Sequence, residues 1–186
     1  MDKVPFDELP EGEARLLADA IENWKNWARE WPYPVLGLVE PAPWPRLVRE
    51  IGRNNGRLVS LCLTFGDPDP DIETGTLIDI YHCLPPTRQK VDWLVGVRTW
   101  PPRERQKLPR KDTEVIIQGE AVPGRIVSHG DSVGLQCTYG PLEVTVVARV
   151  WSRWPIELEL VEDILVFVRG REEYLEEWHR RQASPP

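Results

Sequence analysis

Cysteine is scarce in this chain of 186 residues, and the three present, Cys62, Cys83 and Cys137, are an odd number at wide spacing. That excludes a disulfide framework and predicts buried thiols in a reducing compartment. Basic charge is also in short supply. Twenty-three Lys and Arg stand against thirty Asp and Glu, a formal net charge of −7, the wrong sign for neutralising phosphates over a broad face. General nucleic-acid binding is therefore excluded. No apolar run approaches the length of about 18 residues that a membrane-spanning helix needs. Met1 to Glu13 carries Asp2, Asp7, Glu8, Glu11 and Glu13 where a secretory leader would be apolar. The expectation is a cytoplasmic protein off the membrane. Its arginines outnumber its lysines, a bias that suggests a bacterial source.

Dense catalytic signatures are missing too. There is no G-x-S-x-G elbow, no Gly-rich phosphate loop followed by Lys and Ser/Thr, no H-E-x-x-H and no C-x-x-C. Zinc would have to be assembled by the fold from Cys62, Cys83, Cys137, His82 and His129, with no local ligand spacing. No metal and no cofactor is implied.

Tryptophan and proline are plentiful, nine and nineteen residues. Leu16, Leu17, Ala20, Ile21, Trp24, Trp27, Ala28 and Trp31 fall at the spacing of one helical face. The pattern predicts an amphipathic helix from Glu11 that stops at Trp31-Pro32, because proline disfavours the helical conformation of the residue before it. A proline-rich connector follows, with Pro32, Pro34, Pro41, Pro43 and Pro45. Arg46 to Arg53 then reads as a short second helix ending at Asn54-Asn55-Gly56.

Beyond Gly56 the period shifts to two. Strands are expected over Leu58–Phe65, Thr76–Leu84, Val91–Trp100, Glu114–Gln118, Gly124–Ser128, Val133–Thr138, Leu142–Trp151 and Ile156–Val161. Pro123-Gly124, His129-Gly130-Asp131 and Tyr139-Gly140-Pro141 supply turn chemistry between the later runs. Ile164 to Val168 fits a last strand or a buried helix. Arg171 to Gln182 reads as an exposed helix, its glutamates preceding its arginines. The expected class is α+β in a single domain: a helical N-terminal segment over 1–56, a β-rich body over 57–168 forming a largely antiparallel sheet or partly closed barrel, and a C-terminal helix and tail over 169–186.

Several constellations could carry function. Trp24, Trp27 and Trp31 form a stripe that must be covered, by default by the core and otherwise by a partner. Asp67, Asp69, Asp71 and Glu73 alternate in a proline-stiffened loop. As a Ca²⁺ loop counted from Asp67, it holds Ile72 and Ile78 where Gly and Glu are required, so a site for a basic partner is the better functional reading. Arg103, Arg105, Lys107, Arg110 and Lys111 make one basic loop without interleaved aromatics. Asp79 is a charge among Leu77, Ile78, Ile80 and Tyr81 and is expected to face solvent.

Size, charge and missing motifs favour a protein–protein interaction module, in its specific form an acidic inhibitor or immunity-like protein that covers a basic site. Asp67, Asp69, Asp71 and Glu73 would engage the partner, with Trp24 and Trp27 as anchors. A second class is a small-molecule enzyme, a hydrolase or isomerase in a barrel mouth, with Asp79, His82 and His129 at the strand ends. A third is a homodimeric scaffold joined through the tryptophan stripe.

Overall fold

The computed structural model describes residues 11–39, 46–66, 77–85, 108, 110–130, 132–149 and 156–183. Its first tight turn decides the architecture around it. Asn55 and Gly56 both take positive φ, 48° and 78°, the conformation of a two-residue hairpin loop whose twist matches that of paired strands. β2 (Arg46–Asn54) and β3 (Arg57–Phe65) are therefore hairpin partners. This corrects the short helix expected over Arg46–Arg53. Leu47, Val48 and Ile51 suit either period, and the inter-strand hydrogen bonds override local preference. The same turn chemistry recurs at Gln118-Gly119, φ 52° and 80°, between β5 (Arg110–Ile117) and β6 (Glu120–His129). Gly130 and Gly140 turn the chain into β7 (Ser132–Tyr139) and β8 (Leu142–Arg149).

With β1 (Leu36–Leu38), β4 (Leu77–Cys83) and β9 (Glu157–Leu160), these strands make one nine-stranded sheet in the order β1-β9-β5-β6-β7-β8-β4-β3-β2. It curls into a half-barrel. The sheet is mixed: seven of its eight pairings are antiparallel, in line with the expectation, and one is parallel, which the expectation did not include. β9 follows the hairpin series and enters between β5 and β1, running parallel to β5 with Ile116 opposite Glu157 and Ile117 opposite Leu158. The strand expected over Val91–Trp100 lies outside the described residues.

Helix α1 (Glu11–Glu30) stops before Trp31-Pro32 as its sequence requires. Helix α2 (Leu165–Ala183) settles the open choice at Ile164–Val168 and starts earlier than the expected Arg171. Asp163 is the reason: its Oδ1 accepts the Leu165 N–H at 2.9 Å, so the apolar run becomes the first helical turn, with Phe167 and Val168 buried. Lys25 of α1 reaches Glu172 of α2 at 2.6 Å. Among the described residues, no helix is long and apolar enough to cross a membrane.

One face of the sheet carries the main core. Leu61, Leu63, Phe65, Ile78, Ile80, Leu135, Val144 and Val146 pack there with Ile21 and Ala28 of α1, Trp31, and Phe167, Val168 and Leu175 of α2. The opposite face is buried as well, by a smaller cluster of Cys62, Tyr81, Cys83, Leu108, Val127 and Val147.

α2 lies against β2 at a point where only glycine fits. A Cβ on Gly170 would stand 2.1 Å from the Arg46 carbonyl oxygen, and backbone cannot swing aside as a flexible side chain would. Gly170→Ala gains about 1 kcal/mol of helix propensity but overpacks at a cost of about 1–3 kcal/mol. The expected result is a net loss of stability, read as a lower midpoint in urea unfolding. A midpoint at or above wild type would show that α2 and β2 are less closely apposed.

Candidate functional site

Asp79 is completely buried in β4, which corrects its expected exposure. Its carboxylate is satisfied three times over. Oδ1 accepts the Thr64 hydroxyl at 2.7 Å, and Oδ2 accepts Arg49 Nη1 at 2.7 Å and the Tyr81 hydroxyl at 3.3 Å. Arg49 reaches this spot because β2 bulges there. Val48 pairs with Leu63 and Glu50 with Cys62, which leaves Arg49 as the extra residue between them. Burial, reinforced by Cys62, pushes the Tyr81 hydroxyl far up, so it stays a donor. Arg171 of α2 is close enough to feel the Arg49 charge; burial is the main cause that lowers its pKa. The arrangement is a structural ion pair, with the carboxylate occupied by Arg49, Thr64 and Tyr81 among its partners.

His82 stands three residues along the same strand and therefore on the opposite face. It is fully buried. The Leu36 N–H donates to its Nε2 at 2.9 Å, and its Nδ1 is 3.4 Å from the Leu61 carbonyl, to which it can only donate. Both contacts demand the neutral ring, and burial pulls its pKa down to about 4. β1 explains the need for this side chain. Val39 N–H and the Val35 carbonyl bond toward β9, so the Leu36 N–H points away from β9 and takes its acceptor from β4 instead.

His129 closes the β6–β7 hairpin opposite Ser132. β6 is three strands from β4, about 14 Å at the usual strand spacing. Asp79, His82 and His129 are thus not brought together. Asp79 and His82 lie on opposite faces of β4, His82 next to its last residue, and His129 ends a different strand.

The remaining sequence candidates divide in the same way. Asp67, Asp69, Asp71, Glu73, Arg103, Arg105 and Lys107 lie outside the described residues. Arg110 and Lys111 are exposed at the start of β5, a correction to the single basic loop. Trp31 is buried, and Trp24 and Trp27 are partly buried against the core, with the Arg53 guanidinium 5.3 Å from the Trp27 ring centre. The chain itself therefore covers much of the tryptophan stripe. All three cysteines are buried and outside any disulfide, and burial pushes the Cys137 thiol up to about 11. Among the described residues, no cluster of His, Cys, Asp and Glu could hold a metal.

A concave site does exist, where no motif marked it. β1 and β2 are the two edges of the curled sheet, and a cleft of about 270 Å³ opens between residues from both edges and the start of α2. Gly37 and Leu38 of β1, Phe65 of β3 and Phe167 of α2 line its apolar part. The two phenylalanine rings meet edge to face at 5.4 Å. A Cβ on Gly37 would lie 2.8 Å from Val161 and 3.5 Å from Phe65, so the missing side chain keeps this wall open. Leu160 and Val166 form the lip, and Val39 follows Leu38 at the end of β1. At 39%, 41% and 39% exposure, these are the exposed large apolar residues of the described chain. Glu159, Glu162 and Asp163 add acidic charge, with Arg46 facing them. The described lining contains no His, Cys, Ser or Thr, and its ionisable groups are Glu159, Glu162, Asp163 and Arg46.

Comparison with protein-family models, with curated proteins and with solved structures finds no match to this chain.

Proposed function

We propose that the chain is an intracellular protein–protein interaction module that receives its partner at the cleft between β1, β9 and α2. One observation carries this reading: among the described residues, the exposed large apolar side chains Leu160 and Val166 line one concavity, and Val39, the third, directly follows its lining residue Leu38. Scattered exposed apolar residues need no explanation, whereas a gathered set in a concave site suits an anchor. The cleft's volume of about 270 Å³ has room for an apolar side chain and lies at the lower end of the roughly 300–1,000 Å³ range of small-molecule sites. The net charge of −7 supports the acidic inhibitor or immunity-like form, in which complementary fields speed the encounter.

The test is capture from native lysate at two salt concentrations with wild type and a Leu160→Ser/Val166→Ser double variant. One stoichiometric protein should be retained by wild type, less strongly at high salt, and lost about tenfold from the variant, as truncation of anchor residues predicts. Equal retention by both would remove the cleft as the docking face.

A further inference from the structure

The cleft's charges are unevenly committed. Asp163 is used by the fold, capping α2 through Oδ1 and holding Arg169 through Oδ2 at 3.2 Å. Glu159 and Glu162 are exposed, and among the described residues neither makes an ion pair. Arg46 is the cation on the facing wall. The uncommitted charge at this site is therefore negative overall, on a chain that is itself acidic.

The order of residues gives these charges a spacing. Glu159-Leu160-Val161-Glu162 places two apolar residues between two carboxylates, and because β9 ends at Leu160 and the chain bends at Glu162, both carboxylates line the cleft. An occupant that filled the cleft with acidic or neutral flanks would leave both carboxylates partly desolvated without a partner. A cationic flank on each side of an apolar side chain satisfies them.

We infer that the cleft takes a basic, extended segment of a protein partner, one apolar side chain entering beside Phe65 and Phe167 while flanking Lys or Arg residues meet Glu159 and Glu162. This rests on the interaction reading above and adds the partner's chemistry. The carboxylates are exposed, so they select the partner and speed its arrival more than they hold it. The apolar contact supplies the hold.

The probes are three fluorescein-labelled peptides that share one central Phe and carry two Lys, two Ser or two Glu residues on each side. Binding is read by anisotropy at low and at physiological salt, and located by amide shifts in a ¹⁵N spectrum of the whole chain. The Lys peptide should bind about tenfold tighter than the Ser peptide at low salt, the Glu peptide weakest, with shifts at Gly37, Leu38 and Glu159 to Phe167. Glu159→Gln/Glu162→Gln should abolish the Lys-over-Ser preference while leaving the urea midpoint unchanged. Ser or Glu peptides that bind the cleft as well as the Lys peptide would overturn the inference and leave the interaction reading standing. If no peptide shifts the cleft and a captured partner survives Leu160→Ser/Val166→Ser, both fail.

Discussion

Replacing His82 with leucine is expected to cost about 2–4 kcal/mol at neutral pH, because two buried backbone groups lose their partner. Leucine fills the volume but neither accepts the Leu36 N–H nor donates to the Leu61 carbonyl. The pH dependence makes the result specific. His82 is neutral in the native state down to about pH 4, against an ordinary value of 6.5. Between those values the unfolded chain binds a proton that the native chain refuses, so wild-type stability is fully present above pH 6.5 and falls as pH drops toward 4. Two and a half pH units correspond to about 3 kcal/mol. The variant lacks this contribution, so its deficit should shrink steadily from pH 7 to pH 4. Paired urea titrations across that range are the measurement. A deficit constant with pH would mean that the ring is not held neutral by β1 and β3.

The second large effect is expected at Asp79. Removing one member of a buried ion pair typically costs about 3–5 kcal/mol, since the other charge is left behind. Arg49 is half exposed and regains water, which puts Asp79→Ala near 3 kcal/mol, with Thr64 and Tyr81 losing their acceptor. Arg49→Met should also destabilise, by leaving a fully buried carboxylate without its guanidinium partner. The double variant should cost less than the sum of the two, and the shortfall measures the pair. Additive losses would show that Arg49 and Asp79 act independently.

The N-terminal helix and most strands were legible because each repeats its own period over enough residues. Asn54-Asn55-Gly56 was visible but ambiguous, since a glycine after a polar pair caps a helix and turns a hairpin equally well. Only the Leu58–Phe65 strand waiting to pair decides it. Misreading β2 hid the role of Arg49, because a bulge has no sequence signature, and without that guanidinium Asp79 looked like a surface residue. The parallel β5–β9 contact was equally invisible, as it depends on where a late strand finds a vacancy. The cleft was hidden for the plainest reason. Gly37 and Phe65 are distant in sequence from Leu160 and Phe167, each is individually unremarkable, and the fold of the sheet and helix makes them neighbours.

The seam that builds the cleft also sets an order of events. β6, β7 and β8 join through two-residue turns and pair at short chain separation, whereas β1 waits for β9, with Leu36 meeting Leu160. Short loops close early and long ones late, because closure entropy grows with the chain enclosed. Folding should therefore start in the hairpin series and finish at β1–β9, so that substitutions at the seam speed unfolding and leave refolding nearly unchanged. On the ribosome the same order means that the cleft cannot form until β9 and the first turn of α2 have emerged. A partner that docks there recognises a finished fold and ignores a nascent one.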